Sequence, residues 1–169
     1  METSEASLEK WQTDVEQILT GLGIERADTV VVYDGGTFIA ARLWWILHQL
    51  GHADVRVLNG GLQAWVAEGG ETETGERTAE PAAAAYEGEP NSAVVADITE
   101  AEAALDEEGT VFVDARRFED EYAVGHIPGA INIPFMANAE AEGPKFWKPA
   151  DELRTLYEEA GITPDKRIV

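Results

Sequence analysis

Thr29-Val30-Val31-Val32-Tyr33-Asp34-Gly35-Gly36 decides how this chain folds. A run that is apolar on both of its faces suits a buried parallel strand, because a half-exposed strand would alternate apolar with polar residues. The acid and two glycines then turn the chain into a helix predicted from Thr37 to Leu50, whose centre Leu43-Trp44-Trp45-Ile46-Leu47 is apolar on most sides and whose stop is Gly51. Asp54-Val55-Arg56-Val57-Leu58 reads as a second strand, Asn59-Gly60-Gly61 as a turn and Leu62 to Glu68 as a short helix. Strand, helix, strand, helix is the unit of an α/β fold. Trp44 and Trp45 are both expected in its core. Ahead of this unit, residues 8–22 have the spacing of an amphipathic helix that ends near Gly23.

The same pattern returns at the other end of the chain. A displacement of 138 positions lays Val15, Ile18, Leu19, Leu22, Gly23, Ile24, Val30 and Val31 on Leu153, Leu156, Tyr157, Ala160, Gly161, Ile162, Ile168 and Val169. The second copy reaches its strand at Val169, and the counterpart of Asp34 would fall at position 172.

Between the copies the composition changes twice. Residues 69–93, with Gly70-Glu71-Thr72-Glu73-Thr74-Gly75-Glu76 and Ala82-Ala83-Ala84-Ala85, hold few large apolar side chains and read as a linker. A second α/β set follows. Val94-Val95-Ala96 reads as a short strand, Asp97 or Thr99 as the cap of a helix to about Leu105, and Val111-Phe112-Val113-Asp114 as a buried strand. Ala130-Ile131-Asn132-Ile133-Pro134 reads as another strand, residues 150–160 as a helix, and Arg167-Ile168-Val169 as a terminal strand.

Composition narrows the functional classes. The 169 residues carry 33 acids against 12 basic residues, a net charge of −21, so nucleic acid and anionic membrane surfaces would repel the chain. Hydrophobic residues make up 44%, with five Trp and five Phe, which is the composition of a folded protein. There is no cysteine, hence no disulfide and no thiolate metal site. No apolar stretch approaches the length of a membrane span, residues 1–20 carry acids rather than a basic start, and a cytoplasmic location is expected.

Two motifs carry a family resemblance. Val30 to Gly36, followed by Ala41-Arg42-Leu43-Trp44-Trp45, Leu50-Gly51-His52 and Leu58-Asn59-Gly60-Gly61-Leu62-Gln63-Ala64-Trp65, resembles the non-catalytic N-terminal domain of the two-domain rhodaneses, the thiosulfate and 3-mercaptopyruvate sulfurtransferases. Val113-Asp114-Ala115-Arg116 with Gly125-His126-Ile127-Pro128-Gly129-Ala130-Ile131-Asn132-Ile133-Pro134-Phe135 resembles the opening of their catalytic C-terminal domain. The resemblance implies an α/β/α fold around a central parallel sheet. It also implies that the chain is truncated at both ends relative to the family and lacks the catalytic Cys-Gly-x-Gly loop. Residues 1–68 would be the back half of the N-terminal domain, 69–93 the linker and 94–169 the front half of the catalytic domain. These halves are complementary, so one composite, permuted domain is expected, with strand 30–34 beside strand 111–114 and Arg116 near the Asp34 loop. The same pairing between two chains would give a swapped dimer in place of a monomer.

The chemistry implied is sulfur transfer. A thiolate at the mouth of a strand-to-helix turn takes sulfane sulfur from thiosulfate or mercaptopyruvate and passes it to a thiophile such as cyanide. No cofactor is implied, and the partner is a small anionic sulfur donor. In the copy of the loop that is present, the cysteine position is Asp34, which has no soft sulfur chemistry to offer. Its residue type leaves two readings: a carboxylate that closes a degenerate loop, or a general base or metal ligand. No second acid or histidine stands at ligand spacing, so no metal is expected. Arg116 and Arg117 follow the strand 111–114, where α/β sheets bind ligands, and either is a candidate for holding the donor's anionic group. The competing reading pairs them with Glu119, Asp120 or Glu121. His126 is expected to fix its loop by hydrogen bonds, and Asp114 to accept from loop N–H groups. The chain is expected to be inactive alone. The alternative function is a non-catalytic rhodanese-like module that binds or regulates a partner.

Overall fold

A computed structural model describes residues 5–169. The chain forms two compact units, the first running to Val95 and the second from Ala96 to Val169. Both are α/β, and every strand pair is parallel.

The first unit contains α1 (Glu5–Gly21), β1 (Thr29–Val32), α2 (Ile39–Gln49), β2 (Asp54–Val57) and α3 (Gly61–Ala67). β1 and β2 pair in register, Thr29 with Asp54 through Val32 with Val57, across the α2 crossover. Their core is Leu19 from α1, Val32 from β1, Ala40 and Leu47 from α2, Leu50 just after it, and Tyr86. Trp44 lies against this cluster and donates its indole N–H to the Val55 carbonyl at 2.9 Å. Trp45, expected in the core, is instead exposed: one step round the helix from Trp44, it turns away from the β1–β2 pair.

Residues 69–93 do not hang free of this unit. Five main-chain N–H groups fasten the later part to it: Ala82 to the Thr20 carbonyl at 2.8 Å, Glu89 to the Leu50 carbonyl at 2.9 Å and Asn91 to the Gln49 carbonyl at 2.7 Å. Tyr86 donates to Thr20 Oγ1 at 2.9 Å and Gly88 to Glu16 Oε1 at 2.8 Å. The Tyr86 side chain is only 3% exposed. Burial raises its hydroxyl above the ordinary phenol range, with Arg26 opposing and Glu16 adding to the shift. The hydroxyl therefore stays a proton donor, and it lies 3.0 Å from Nδ1 of the buried His52. Nε2 of His52 lies 2.9 Å from the Asp28 carbonyl, which can only accept. That contact puts the imidazole hydrogen on Nε2 and leaves Nδ1 to accept from Tyr86. His52 is thus a buried tie between the β1 approach and the 82–91 segment.

The second unit contains α4 (Ile98–Ala104), β3 (Thr110–Val111), β4 (Val113–Asp114), β5 (Ile131–Asn132), α5 (Ala150–Glu159) and β6 (Arg167–Ile168). Asp97 caps α4 in a closed capping box, accepting from the Glu100 N–H while the Glu100 side chain accepts from its own. Residues 110–114 behave as one extended stretch with a neighbour on each edge. Val111 and Val113 bond to Val169, while Phe112 and Asp114 bond to Ile131 and Ile133. Successive residues of a strand bond in opposite directions, so β6 and β5 flank it on opposite sides. Phe112, Ala104 and Ala130 form the core, with Val169 packed against them.

Two expectations are corrected here. The short strand at Val94-Val95-Ala96 is a 3-10 turn at Ser92–Val94, because the Asn91 side chain accepts from the Ala93 N–H and closes the chain on itself. Nor does strand 30–34 pair with strand 111–114 among the described residues. β1 pairs with β2, while the 110–114 stretch already has β5 and β6 at its two edges.

Candidate functional site

β1 delivers Asp34 to the mouth of α2, and the loop 34–40 closes round its carboxylate. Oδ1 accepts from the Gly36 N–H at 2.6 Å and the Thr37 N–H at 3.0 Å, and Oδ2 accepts from the Ala40 N–H at 2.9 Å. Directing three N–H groups inward bends the backbone enough that Phe38, the residue before α2, sits at φ 66°. This is the left-handed region, which costs a non-glycine residue of order 1 kcal/mol. Partial burial works to raise the Asp34 pKa, but the N–H groups of Ala40, Gly36 and Thr37 outweigh it and hold the carboxyl below its usual range. The loop is a cradle for an anion, and the protein's own side chain fills it.

The floor of the cradle comes from the turn after β2. Leu62 N–H donates to the Asp34 carbonyl at 2.9 Å. Gly61, at φ 58°, passes so near that carbonyl that a Cβ at this position would collide with it. Gln63 Nε2 adds a contact to the Gly35 carbonyl at 3.3 Å. The glycine pair that looked like a tight turn is also a close approach, a second role that the residue names alone did not separate.

In the second unit Arg116 is bound to its neighbour. Its guanidinium grips Asp114 through Nε at 3.0 and 3.1 Å and through Nη2 at 2.6 Å, and Nη2 also donates to the Gly125 carbonyl at 2.8 Å. The hydrogen bonds from Arg116 hold the Asp114 carboxyl below its usual range, and Asp114 raises the arginine in turn. Asp114 also accepts from the Arg116 N–H at 2.9 Å, the loop-acceptor role expected of it. Asp34 and Arg116 are each held within their own unit, Asp34 by the N–H groups of Gly36, Thr37 and Ala40, and Arg116 by Asp114 and the Gly125 carbonyl. Arg117 is held more loosely, by Glu121 at 3.5 Å and Asp120 at 3.8 Å, with its side chain 55% exposed. It is the freer of the two for an anion. His126 Nδ1 contacts the Tyr122 carbonyl at 3.0 Å and its ring stacks on Tyr122 at 3.9 Å, so it does fix the loop. The Tyr122 hydroxyl donates to the Ala130 carbonyl at 2.8 Å and ties that loop to β5.

Among the described residues, no group of three His, Asp or Glu side chains is placed to hold a metal ion, and no helix is long and apolar enough to cross a membrane.

Comparison with known proteins gives one consistent answer. The family described as Rhodanese-like domain matches residues 2–68 and 97–169. The chain is 35% identical over 176 residues to the sulfur carrier protein TtuD of Thermus thermophilus, covering 94% of this chain and 61% of that protein. It is 33% identical over 162 residues to rat 3-mercaptopyruvate sulfurtransferase, covering 88% of this chain and 53% of the other. Among solved structures, the 3-mercaptopyruvate sulfotransferase SseA of Escherichia coli is 31% identical with a TM-score of 0.77, over 89% of this chain and 57% of that one. The chain therefore spans a little over half the length of these relatives.

Proposed function

The chain belongs to the rhodanese-like domain family, and on that footing we propose that it serves a sulfurtransferase reaction. Sulfane sulfur would pass from a small anionic donor, thiosulfate or 3-mercaptopyruvate, to a thiophilic acceptor such as cyanide, by way of a cysteine persulfide. The observation that carries this reading is the convergence of three loop N–H groups on Asp34. A strand-to-helix loop of that geometry stabilises a thiolate and the persulfide that follows it. The names of the relatives, a sulfur carrier and a mercaptopyruvate sulfurtransferase, support the same chemistry.

The cradle in these 169 residues holds a carboxylate, and there is no cysteine anywhere in them. The reacting thiol is therefore not among these 169 residues, whose own contribution is the filled loop and the arginine-bearing front of the second unit. Arg117, the freer arginine, is the better placed to meet the donor's anionic group. The proposed setting is the cytoplasm, with neither nucleic acid nor membrane as a partner, since a net charge of −21 repels both.

The purified chain, given thiosulfate and cyanide, is expected to form no thiocyanate above a buffer blank and to carry no persulfide. Cyanide-dependent thiocyanate formation would overturn the reading. A second reading, a non-catalytic module, draws on the saturation of Asp34 and Arg116 by their own loops. The coding sequence separates the two. A reading frame that continues past codon 169 into a Cys-Gly-x-Gly loop supports the enzyme, and a stop codon there supports the module.

A further inference from the structure

The turn that follows β4 carries four acids against two arginines over residues 114–122. Arg116 is saturated by Asp114 and by the Gly125 carbonyl, so it offers little to an incoming anion. Arg117 is the arginine that remains, and Glu119, Asp120 and Glu121 follow it within one turn.

The backbone delivers those acids to it. Phe118–Tyr122 winds as a π-turn, a rare geometry that recurs at functional sites. Its wide bonds run from the Tyr122 N–H to the Arg117 carbonyl at 3.0 Å and from the Ala123 N–H to the Phe118 carbonyl at 2.8 Å. The Tyr122 hydroxyl fastens the turn to the Ala130 carbonyl, and its ring is stacked on His126. The Arg117 N–H donates to Glu121 Oε2 at 3.1 Å, and the same oxygen lies 3.5 Å from Nε of the guanidinium. Asp120 Oδ2 lies 3.8 Å from Nη1. The field of Glu121 reaches further still: Asp114 first, and Glu121 after it, raise the Arg116 guanidinium. An anion on Arg117 therefore takes the place of Asp120, the partner with no main-chain anchor on the arginine, and remains beside Glu121.

We propose that Glu119, Asp120 and Glu121 are specificity-determining residues that set Arg117 for a monoanionic carboxylate donor and against a dianion. This selection rests on the reading of Arg117 as the group that meets the donor, and it favours 3-mercaptopyruvate over thiosulfate. At neutral pH thiosulfate carries two charges, and 3-mercaptopyruvate, with its thiol protonated, carries one. Both gain from the guanidinium, but three carboxylates outnumber it, so the second charge of thiosulfate meets a net negative field. Two unit charges about 4 Å apart in water interact by an energy worth roughly fivefold in an equilibrium constant. With the donor's charge a few ångströms further off, each acid tilts the ratio of the two affinities by about threefold at low salt. The guanidinium is common to every variant that keeps Arg117, so the ratio isolates the acids.

With no cysteine, the chain binds either donor without reacting with it. The Arg117 Nε–Hε resonance of the isotope-labelled chain, assigned by its loss in Arg117→Gln, reports each titration. The native chain should bind 3-mercaptopyruvate more tightly than thiosulfate at low salt. Asp120→Asn, at an exposed position, should raise both affinities, and that for thiosulfate about threefold more. Glu119→Gln removes an exposed charge that forms no ion pair with Arg117, and it should move the ratio the same way through the field alone. Glu121 is kept in both variants, because it holds the Arg117 N–H. Both shifts should fade at about 1 M salt, where the screening length falls to about 3 Å. Equal gains for the two donors, or a native chain that prefers thiosulfate, would overturn the selection and leave Arg117 as the donor's contact. An Arg117 resonance that neither donor moves would overturn that contact, and the selection with it.

Discussion

Tyr86→Ala is expected to destabilise the first unit by about 3–5 kcal/mol, the cost of deleting a buried aromatic side chain. The ring belongs to the core cluster with Leu19, Val32, Leu47 and Leu50, and it stacks at 5.9 Å on His52. Its hydroxyl is also the donor that satisfies His52 Nδ1, so truncation strands a buried acceptor as well as opening a cavity. Tyr86→Phe separates these effects: it keeps the ring and loses the donor alone, which should cost about 1–3 kcal/mol. Hydrogen exchange is the suitable readout, since two units need not unfold together. The amides of Ala82, Tyr86, Gly88, Glu89 and Asn91, each bonded to a protein acceptor, should lose protection together in the alanine variant. Unchanged protection at these five amides would show that the 82–91 segment is held by something other than its tyrosine.

Asp34→Ala is expected to cost the first unit about 2 kcal/mol at neutral pH. The variant leaves three N–H groups without their acceptor, of which Gly36 and Thr37 can turn to water and the buried Ala40 cannot. The sign of the pH dependence follows from the lowered pKa. A carboxyl whose folded pKa lies below its unfolded value, about 3.9, contributes in full above that value. The contribution is lost as pH falls through the folded pKa. The stability gap between native chain and variant should therefore be constant above about pH 5 and close on acidification. Exchange at the Ala40 amide, measured at several pH values, checks it. A gap that widens at low pH would mean that the loop favours the protonated acid.

Much of this was legible in the residues because it rests on side-chain pattern. The unbroken apolar run of β1, the glycines after α1 and α5, and the Asp97 cap of α4 each announce themselves by residue type, and each element lies within a few residues of its expected bounds. What stayed hidden rests on the main chain. The bonds that fasten 82–91 to the first unit are made largely by backbone groups of an alanine- and glutamate-rich stretch, which any sequence could supply. The one available signal there was a lone tyrosine among small residues. Val94-Val95 has strand propensity, but a local Asx-type contact from Asn91 captured the chain first. Trp45 was misplaced because an all-apolar helix centre does not say which side faces the sheet. At the candidate site, Asp34 as a loop-closing anion follows from its residue type. The tight hold of Asp114 on Arg116 depended on geometry, since the acids further along competed for the same guanidinium on paper.

The claim that the Asp34 loop is an anion cradle of the family's kind is tested most directly by one thiol. In a chain without cysteine, Asp34→Cys introduces the sole sulfhydryl, and its rate of alkylation against pH reads its ionisation without interference. Three inward N–H groups and the start of α2 should stabilise the thiolate as they stabilise the carboxylate. Residues 35–40 hold no Lys or Arg, so donor anions would be gripped weakly and turnover should remain slight even then. The account predicts a thiol pKa clearly below the unperturbed value of about 8.5. A pKa at or above that value would contradict it, and would leave the loop a turn that suits aspartate alone.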